Sequence, residues 1–330
     1  KAITTYVIAL VACYILFAGN GLPLIWIIFG LVEVITFFHF SNKITQNWAD
    51  ISHSLFRKEL FITSFIIRAV YVCFSYFFYQ WMTSTPFEFD AGDSLGYHDD
   101  AMWIVDMFES GTLSIYFARL KHGVSDSGFP LWLSVIYFFS AKSILIARLM
   151  NALLGAWMCV FIYELARRNV GEAAGRISAI MAMLLPTFIY YCGLHTKETT
   201  MVFILLAFTE RADYFLRQRS IKTWSLMVVV ILGAALFFFR TVLGAAAWFA
   251  LFSALLFSAD RLIGPARKTI YIAWFAIAAL FVFSGTILAE VEGYVKDRVS
   301  NQQLKVQNIA SRKGANTLAQ YGKASVFAPM

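Results

Sequence analysis

Charge is what this chain has least of: 14% of its 330 residues are Asp, Glu, Lys or Arg, against 60% apolar and 17% aromatic residues. A soluble surface needs roughly a quarter of the residues charged, so a chain wholly exposed to water is excluded. Cysteine is scarce too. Cys13, Cys73, Cys159 and Cys192 each lie inside an apolar run and show no metal-ligand spacing, so they read as small buried hydrophobes and fix no redox compartment. His98 and His195 are too few and too far apart to argue for zinc. There is no repeat of fixed period and no low-complexity segment. The net charge of +7 could suggest nucleic acid, but the positive residues fall in short clusters between apolar runs, as membrane insertion demands. No nucleic-acid partner is expected.

Long apolar runs are what the chain has instead. Those at 2–18, 23–40 and 61–82 can cross or nearly cross a hydrocarbon core of about 30 Å at about 1.5 Å per residue. Further runs at 144–165, 173–192, 200–215, 224–239, 242–259 and 269–289 make the expectation an all-α polytopic membrane domain over 1–289 with about nine spans. The run 129–140 is too short to span and reads as re-entrant or interfacial. Although the chain opens at Lys1, the second run follows too closely for a cleaved signal peptide, so Ala2 onward reads as a span. Lys43, Arg57 and Lys58 mark the inner side and therefore place the loop 84–128 outside. The polar tail 290–330 reads as an external segment that opens a longer region.

The stretch 87–101, FEFDAGDSLGYHDDA, holds five carboxylates, and the loop 84–128 holds eight against Arg119 and Lys121. Within it, Tyr97, Ala101, Ile104, Val105 and Phe108 fall at helical spacing, predicting a short interfacial helix over 95–108. Continued alternation of the spans brings two further polar groups to the same outer face: His195, Thr196, Lys197 and Glu198, and Arg240 in FFFRTVLG. A charged group at membrane depth costs about 2.5 to 3.5 kcal/mol, so Arg240 reads either as a snorkelling side chain or as a cation for a phosphate or loop carboxylate. Arg68 and Arg148 read as structural ion pairs. Asp90 and Asp93, spaced D-A-G-D, could ligate Mg²⁺ or Mn²⁺ as hard oxygen donors, though paired acids are more often solvated or capping a helix.

Asp93, Tyr97 and Ala101 follow one another at four-residue intervals, and the segment 147–186 reads as two spans joined by a basic turn. In these residues the chain resembles the GT-C superfamily of lipid-linked glycosyltransferases, in particular its protein O-mannosyltransferase and aminoarabinose transferase branch. The resemblance covers about 61–241. Two departures stand out: Ser94 follows Asp93 where that branch has glutamate, and the second external acid is Glu198 in a Lys-Glu context rather than an aspartate. The resemblance implies an enzyme that moves a sugar from a polyprenyl-phosphate or pyrophosphate donor to an acceptor hydroxyl, with inversion. It makes Asp93 the catalytic base with Glu198 as a second catalytic acid, Lys197 and Arg240 a phosphate clamp, and Asp90, Tyr97, His98 and His195 substrate contacts. Its partners would be the lipid-linked donor, a glycan, lipid or protein acceptor and the surrounding lipid, with the site facing the periplasm of a bacterial inner membrane. Rival readings are a transporter or flippase, a polysaccharide polymerase or ligase, and a non-catalytic subunit that kept the fold.

Overall fold

In the computed structural model the described residues are 2–16, 24–89, 91–120, 124–218, 222–257, Thr269 and Ala273. The chain divides into two units, Lys1–Ser253 and Ala254–Met330, and the helices up to Phe239 lie in the first. The proposed last span, 269–289, and the tail, 290–330, lie outside the described residues apart from the two named. All regular structure among the described residues is α-helical. The helices are α1 (Ala2–Leu16), α2 (Leu24–Asn47), α3 (His53–Thr83), α4 (Gly92–Glu109), α5 (Leu113–Leu120), α6 (Gly128–Ser140), α7 (Ile144–Asn169), α8 (Glu172–Leu184), α9 (Pro186–Cys192), α10 (Glu198–Leu216), α11 (Thr223–Phe239) and α12 (Thr241–Phe257).

Helix α7 is the axis of the unit, flanked by α3, α8 and α10, while α4 packs on α6 and α10 on α11. Helix α3 is built inside out. Its buried line is Phe56, Leu60, Ser64, Arg68, Val72, Ser75 and Tyr79, spaced three or four residues apart, and so carries the polar groups inward. Its opposite line, Ile66, Val70, Phe74, Phe77 and Trp81, is exposed and apolar, Trp81 at 79%. Water would drive the reverse arrangement, whereas a hydrocarbon surround accepts apolar side chains and requires polar ones to be satisfied within the protein. Helices α3 and α7 are the two described helices long and apolar enough to cross a membrane, and there are three if α8 and α9 form one bent span.

Several expectations change in detail. The span expected at 61–82 is a helix of 31 residues beginning at His53, because Phe56 and Leu60 extend the buried line toward the amino end. The run 173–192 is broken between α8 and α9 by a bend of 52°, since Pro186 has no N–H for the carbonyl of Ala182 and cannot continue the ladder. Helix α10 has 19 residues but carries Glu198, Glu210, Arg211 and Asp213, and α11 and α12 have 17 residues each. The interfacial helix starts at Gly92 rather than Leu95. It buries Ala101, Ile104 and Val105 as the periodicity predicts, but Met107 instead of Phe108, whose ring turns outward onto Phe138 of α6 at 4.8 Å. The run 129–140 forms the 13-residue α6, too short to cross.

Candidate functional site

Every long helix contributes a terminus to one of two ends. At one end lie the carboxyl end of α3, the amino ends of α4, α6, α7 and α10, and the turn 193–197 that joins α9 to α10. The break at Pro186 aims that turn, and Arg68 holds the break. Its Nη2 donates to the carbonyl of Ala182, the one left without a partner by proline, at 3.2 Å. Its Nη1 donates to Met183 O at 3.3 Å and to Ser64 Oγ at 2.5 Å. Gly155 makes room for this guanidinium: a Cβ there would lie 2.8 Å from Arg68 Cδ. Beyond α9, Gly193 lets the turn press on α3, since a Cβ would stand 2.6 Å from Tyr71 and 2.7 Å from Ser75 Oγ. Arg68 is therefore structural, through backbone carbonyls rather than an ion pair.

The turn delivers His195 into a box of rings formed by Phe87, His98, Phe129 and Tyr137, where it is fully buried. Its Nε2 lies 2.9 Å from the Tyr137 hydroxyl, which on its other side meets His98 Nδ1 at 2.8 Å. Burial, with Arg148 and His98 adding to it, pushes the His195 pKa down from 6.5 to about 3, so this ring is neutral. Burial also lowers that of His98, with Asp99 opposing. Across the Phe87 ring, at 5.9 Å from its centre, lies the guanidinium of Arg148. It is wholly buried, and Nε, Nη1 and Nη2 all lack hydrogen-bond partners. Its nearest acid, Glu88, approaches only to 3.9 Å, because the other carboxylate oxygen of Glu88 is held by Ser94 Oγ. Around them His195 Nδ1, Thr196 Oγ1, Glu198 Oε2, Thr199 Oγ1 and Glu88 Oε2 are buried without hydrogen-bond partners. Buried donors and acceptors are nearly always paired, so such a concentration marks a place for a polar ligand.

The acid loop and the 195–198 turn meet, as the alternation of spans implies. Lys197 is buried and ion-paired with Asp126, its Nζ 5.8 Å from the centre of the Tyr97 ring. Burial works against its charge, but Asp126 and Tyr97 outweigh that and raise its pKa. Burial raises the Tyr97 pKa in turn. Asp93 stands exposed in the first turn of α4, one turn before Tyr97, where the helix amino end favours a carboxylate. Glu198 holds the matching place at the start of α10. Arg240 is exposed and ends α11 in extended backbone; Phe239 before it packs on Gly128, which keeps Arg240 at the same end of the unit. Asp90 lies outside the described residues, so the Asp90–Asp93 pair is described only in part. Among the described residues no group of three or more His, Cys, Asp and Glu is arranged to hold a metal ion. Compared with known proteins, the chain matches no family model, no curated protein and no solved structure.

Sequence reasoning does not single out two participants, and for a third, Arg148, it expects only a structural ion pair. Glu88 is hidden among five carboxylates of one stretch, and Tyr137 in the aromatic run of α6. Arg148 has a signal, a guanidinium in the otherwise apolar opening ILIARLMNALL of α7. A structural ion pair is the expectation for it, and Glu88 does stand 3.9 Å away, but Arg148 is buried beside Phe87 and Glu88 without a hydrogen bond.

Proposed function

We propose that this chain is a membrane glycosyltransferase that takes a sugar from a polyprenyl-phosphate or pyrophosphate donor and transfers it to an acceptor hydroxyl on the outer face of a bacterial inner membrane. In this reading the fold is of the GT-C kind, with about nine spans including those outside the described residues. The observation that carries it is Arg148, a fully buried guanidinium with no hydrogen-bonded partner, set beside Phe87 and Glu88 of the acidic loop. A phosphate would satisfy it with charge-assisted bonds, and the apolar helix faces beside it suit a polyprenyl tail. Lys197 and Arg240 stand at the same end as further cations. Asp93, exposed on α4, takes the proton of the attacking hydroxyl as the new bond forms at the anomeric carbon, and the sugar–phosphate bond breaks with its electron pair leaving on phosphate oxygen. Glu198 orients the acceptor.

Arg148, with no hydrogen-bond partner, also suits a polysaccharide polymerase or ligase with a lipid pyrophosphate donor, whose two phosphates demand more from arginine. Transfer of radiolabelled sugar from polyprenyl-linked donors in membranes with matched expression tests both. Loss of product with Asp93→Asn at unchanged donor binding is the expected result; equal turnover removes Asp93 from the chemistry. Movement of donor across the bilayer without transfer by the wild type would establish a flippase instead.

A further inference from the structure

The hydrogen-bonded series His98, Tyr137 and His195 has a property that neither ring has alone. A tyrosine hydroxyl has one proton to donate, so between two imidazole nitrogens it donates to one and accepts from the other. The series therefore has two states of opposite proton order. In the first, His98 Nδ1–H donates to Tyr137, Tyr137 donates to His195 Nε2, and His195 carries its own proton on Nδ1; His98 Nε2 then presents a lone pair. In the second, every link is reversed, His195 Nδ1 presents the lone pair, and His98 Nε2 carries the proton. The neutrality of His195 keeps the count at one proton per member.

The two ends of the series open on different surroundings. His195 Nδ1 is buried without a partner, and the His195 ring and the Arg148 guanidinium both lie against the Phe87 ring, each 5.9 Å from its centre. His98 is half-buried on α4, the helix that also carries Asp93 and Asp99. An anion bound by Arg148 accepts from His195 Nδ1–H and is repelled by a lone pair there, so it selects the first state.

We propose that His98, Tyr137 and His195 form a proton relay in which a phosphate-bearing ligand held by Arg148 and His195 leaves His98 Nε2, on α4, as a proton acceptor. The proposal rests on the transferase reading for its chemical use. In that reaction the acceptor's proton, taken up through Asp93, passes to His98 Nε2, one proton moves along each link, and His195 Nδ1–H passes to the departing phosphate oxygen. The oxygen–carbon bond that forms and the carbon–oxygen bond that breaks thus exchange one proton without a charge left in the ring box. The three side chains position and pass protons; none attacks the sugar.

The test uses the full chain in lipid nanodiscs with ¹⁵N-labelled histidine, resonances being assigned with His98→Gln and His195→Gln, and a short-chain polyprenyl phosphate as the probe. In the wild type the probe is expected to move His195 Nδ1 into the N–H region and, in the same titration, His98 Nε2 into the lone-pair region. In Tyr137→Phe, which keeps the ring and its stacking, His195 still responds and His98 does not. Arg148→Met abolishes both responses. The proposal is overturned if His98 fails to move in the wild type, or if it moves equally in Tyr137→Phe. Activity supplies a second reading: Tyr137→Phe lowers transfer by about tenfold or more while probe affinity stays within about twofold, whereas a purely structural tyrosine would lose both together. Absence of transfer by the wild type, with the coupled shifts intact, would refute the transferase reading and leave the relay standing.

Discussion

The two ends of the helix unit are built from the same residue types and finished differently. At the end opposite the candidate site, Glu164 meets Arg57 at 3.2 Å and Arg167 at 2.9 Å, and Arg168 is paired with both Glu210 and Asp213. Arg217 reaches Asn169 at 2.7 Å and Asp213 at 2.9 Å. Arg176 closes the carboxyl end of α2 and the turn beyond it by donating to the carbonyls of Trp48, Ala49 and Ile51. At this end the cations have their acids or carbonyls, although Glu210 Oε2, Asp213 Oδ2 and Gln218 Oε1 also lack hydrogen-bond partners. At the site end Arg148, Glu88, His195 and Glu198 each keep a buried atom without a hydrogen-bond partner. Burying a guanidinium with one distant acid and no hydrogen bond is costly, so the site end, where such a cation lies, suits a polar ligand better than the end where every arginine has a close partner.

The contrast can be broken by substitution. The largest effect is expected at the pin between them: Arg68→Leu strands the carbonyls of Ala182 and Met183 and costs about 4 kcal/mol, read from thermal unfolding in detergent. Next comes Arg168→Ala at the finished end, which leaves Glu210 with Arg211 alone and costs about 3 kcal/mol by the same measurement.

Acid sharpens the picture. The His195 pKa lies near 3 in the folded chain against 6.5 unfolded, so below pH 6.5 the unfolded state binds the proton that the folded state refuses. Stability is therefore fully present above that pH and falls, by at most about 1.4 kcal/mol per unit, as the pH drops toward 3. His195→Phe should flatten that slope. Smaller still is the combined change Arg148→Met with Glu88→Gln. It removes a poorly paired buried charge and its neighbour, so stability moves by no more than about 1 kcal/mol, yet retention of a polyprenyl phosphate is lost by about a hundredfold. Lys142→Ala, which breaks an exposed pair with Asp106, should leave unfolding unchanged and so calibrate the series.

How much of this was legible in the sequence follows from the range of the interactions. Apolar length announces α3 and α7, and helical spacing announces most of the buried face of α4. Charge alternation between spans brings the acid loop to the 195–198 turn, which the ion pair of Asp126 with Lys197 realises. The partners inside the site are another matter. Tyr137 lies 39 residues from His98 and 58 from His195, and nothing local in YFFS distinguishes a hydroxyl that bridges two imidazoles from one at a lipid interface. Arg148 reads as half of an ion pair, and nothing local shows that it is buried beside Phe87 and Glu88 without a hydrogen bond. Arg68 carries an equally ambiguous signal, because its acceptors are carbonyls created by a proline on another helix.

That last dependence sets a timetable for biosynthesis. The Arg68 guanidinium enters the bilayer with α3, and the carbonyl of Ala182 that receives it is 114 residues downstream. At a synthesis rate of about 5 to 20 residues per second, the charge waits about 6 to 23 seconds in the insertion machinery or against lipid headgroups, with Ser64 beside it, before its carbonyl acceptors on α8 exist. A nascent chain halted ahead of Pro186 should thus stay bound to insertion factors, and its release should coincide with the docking of the bent α8–α9 segment.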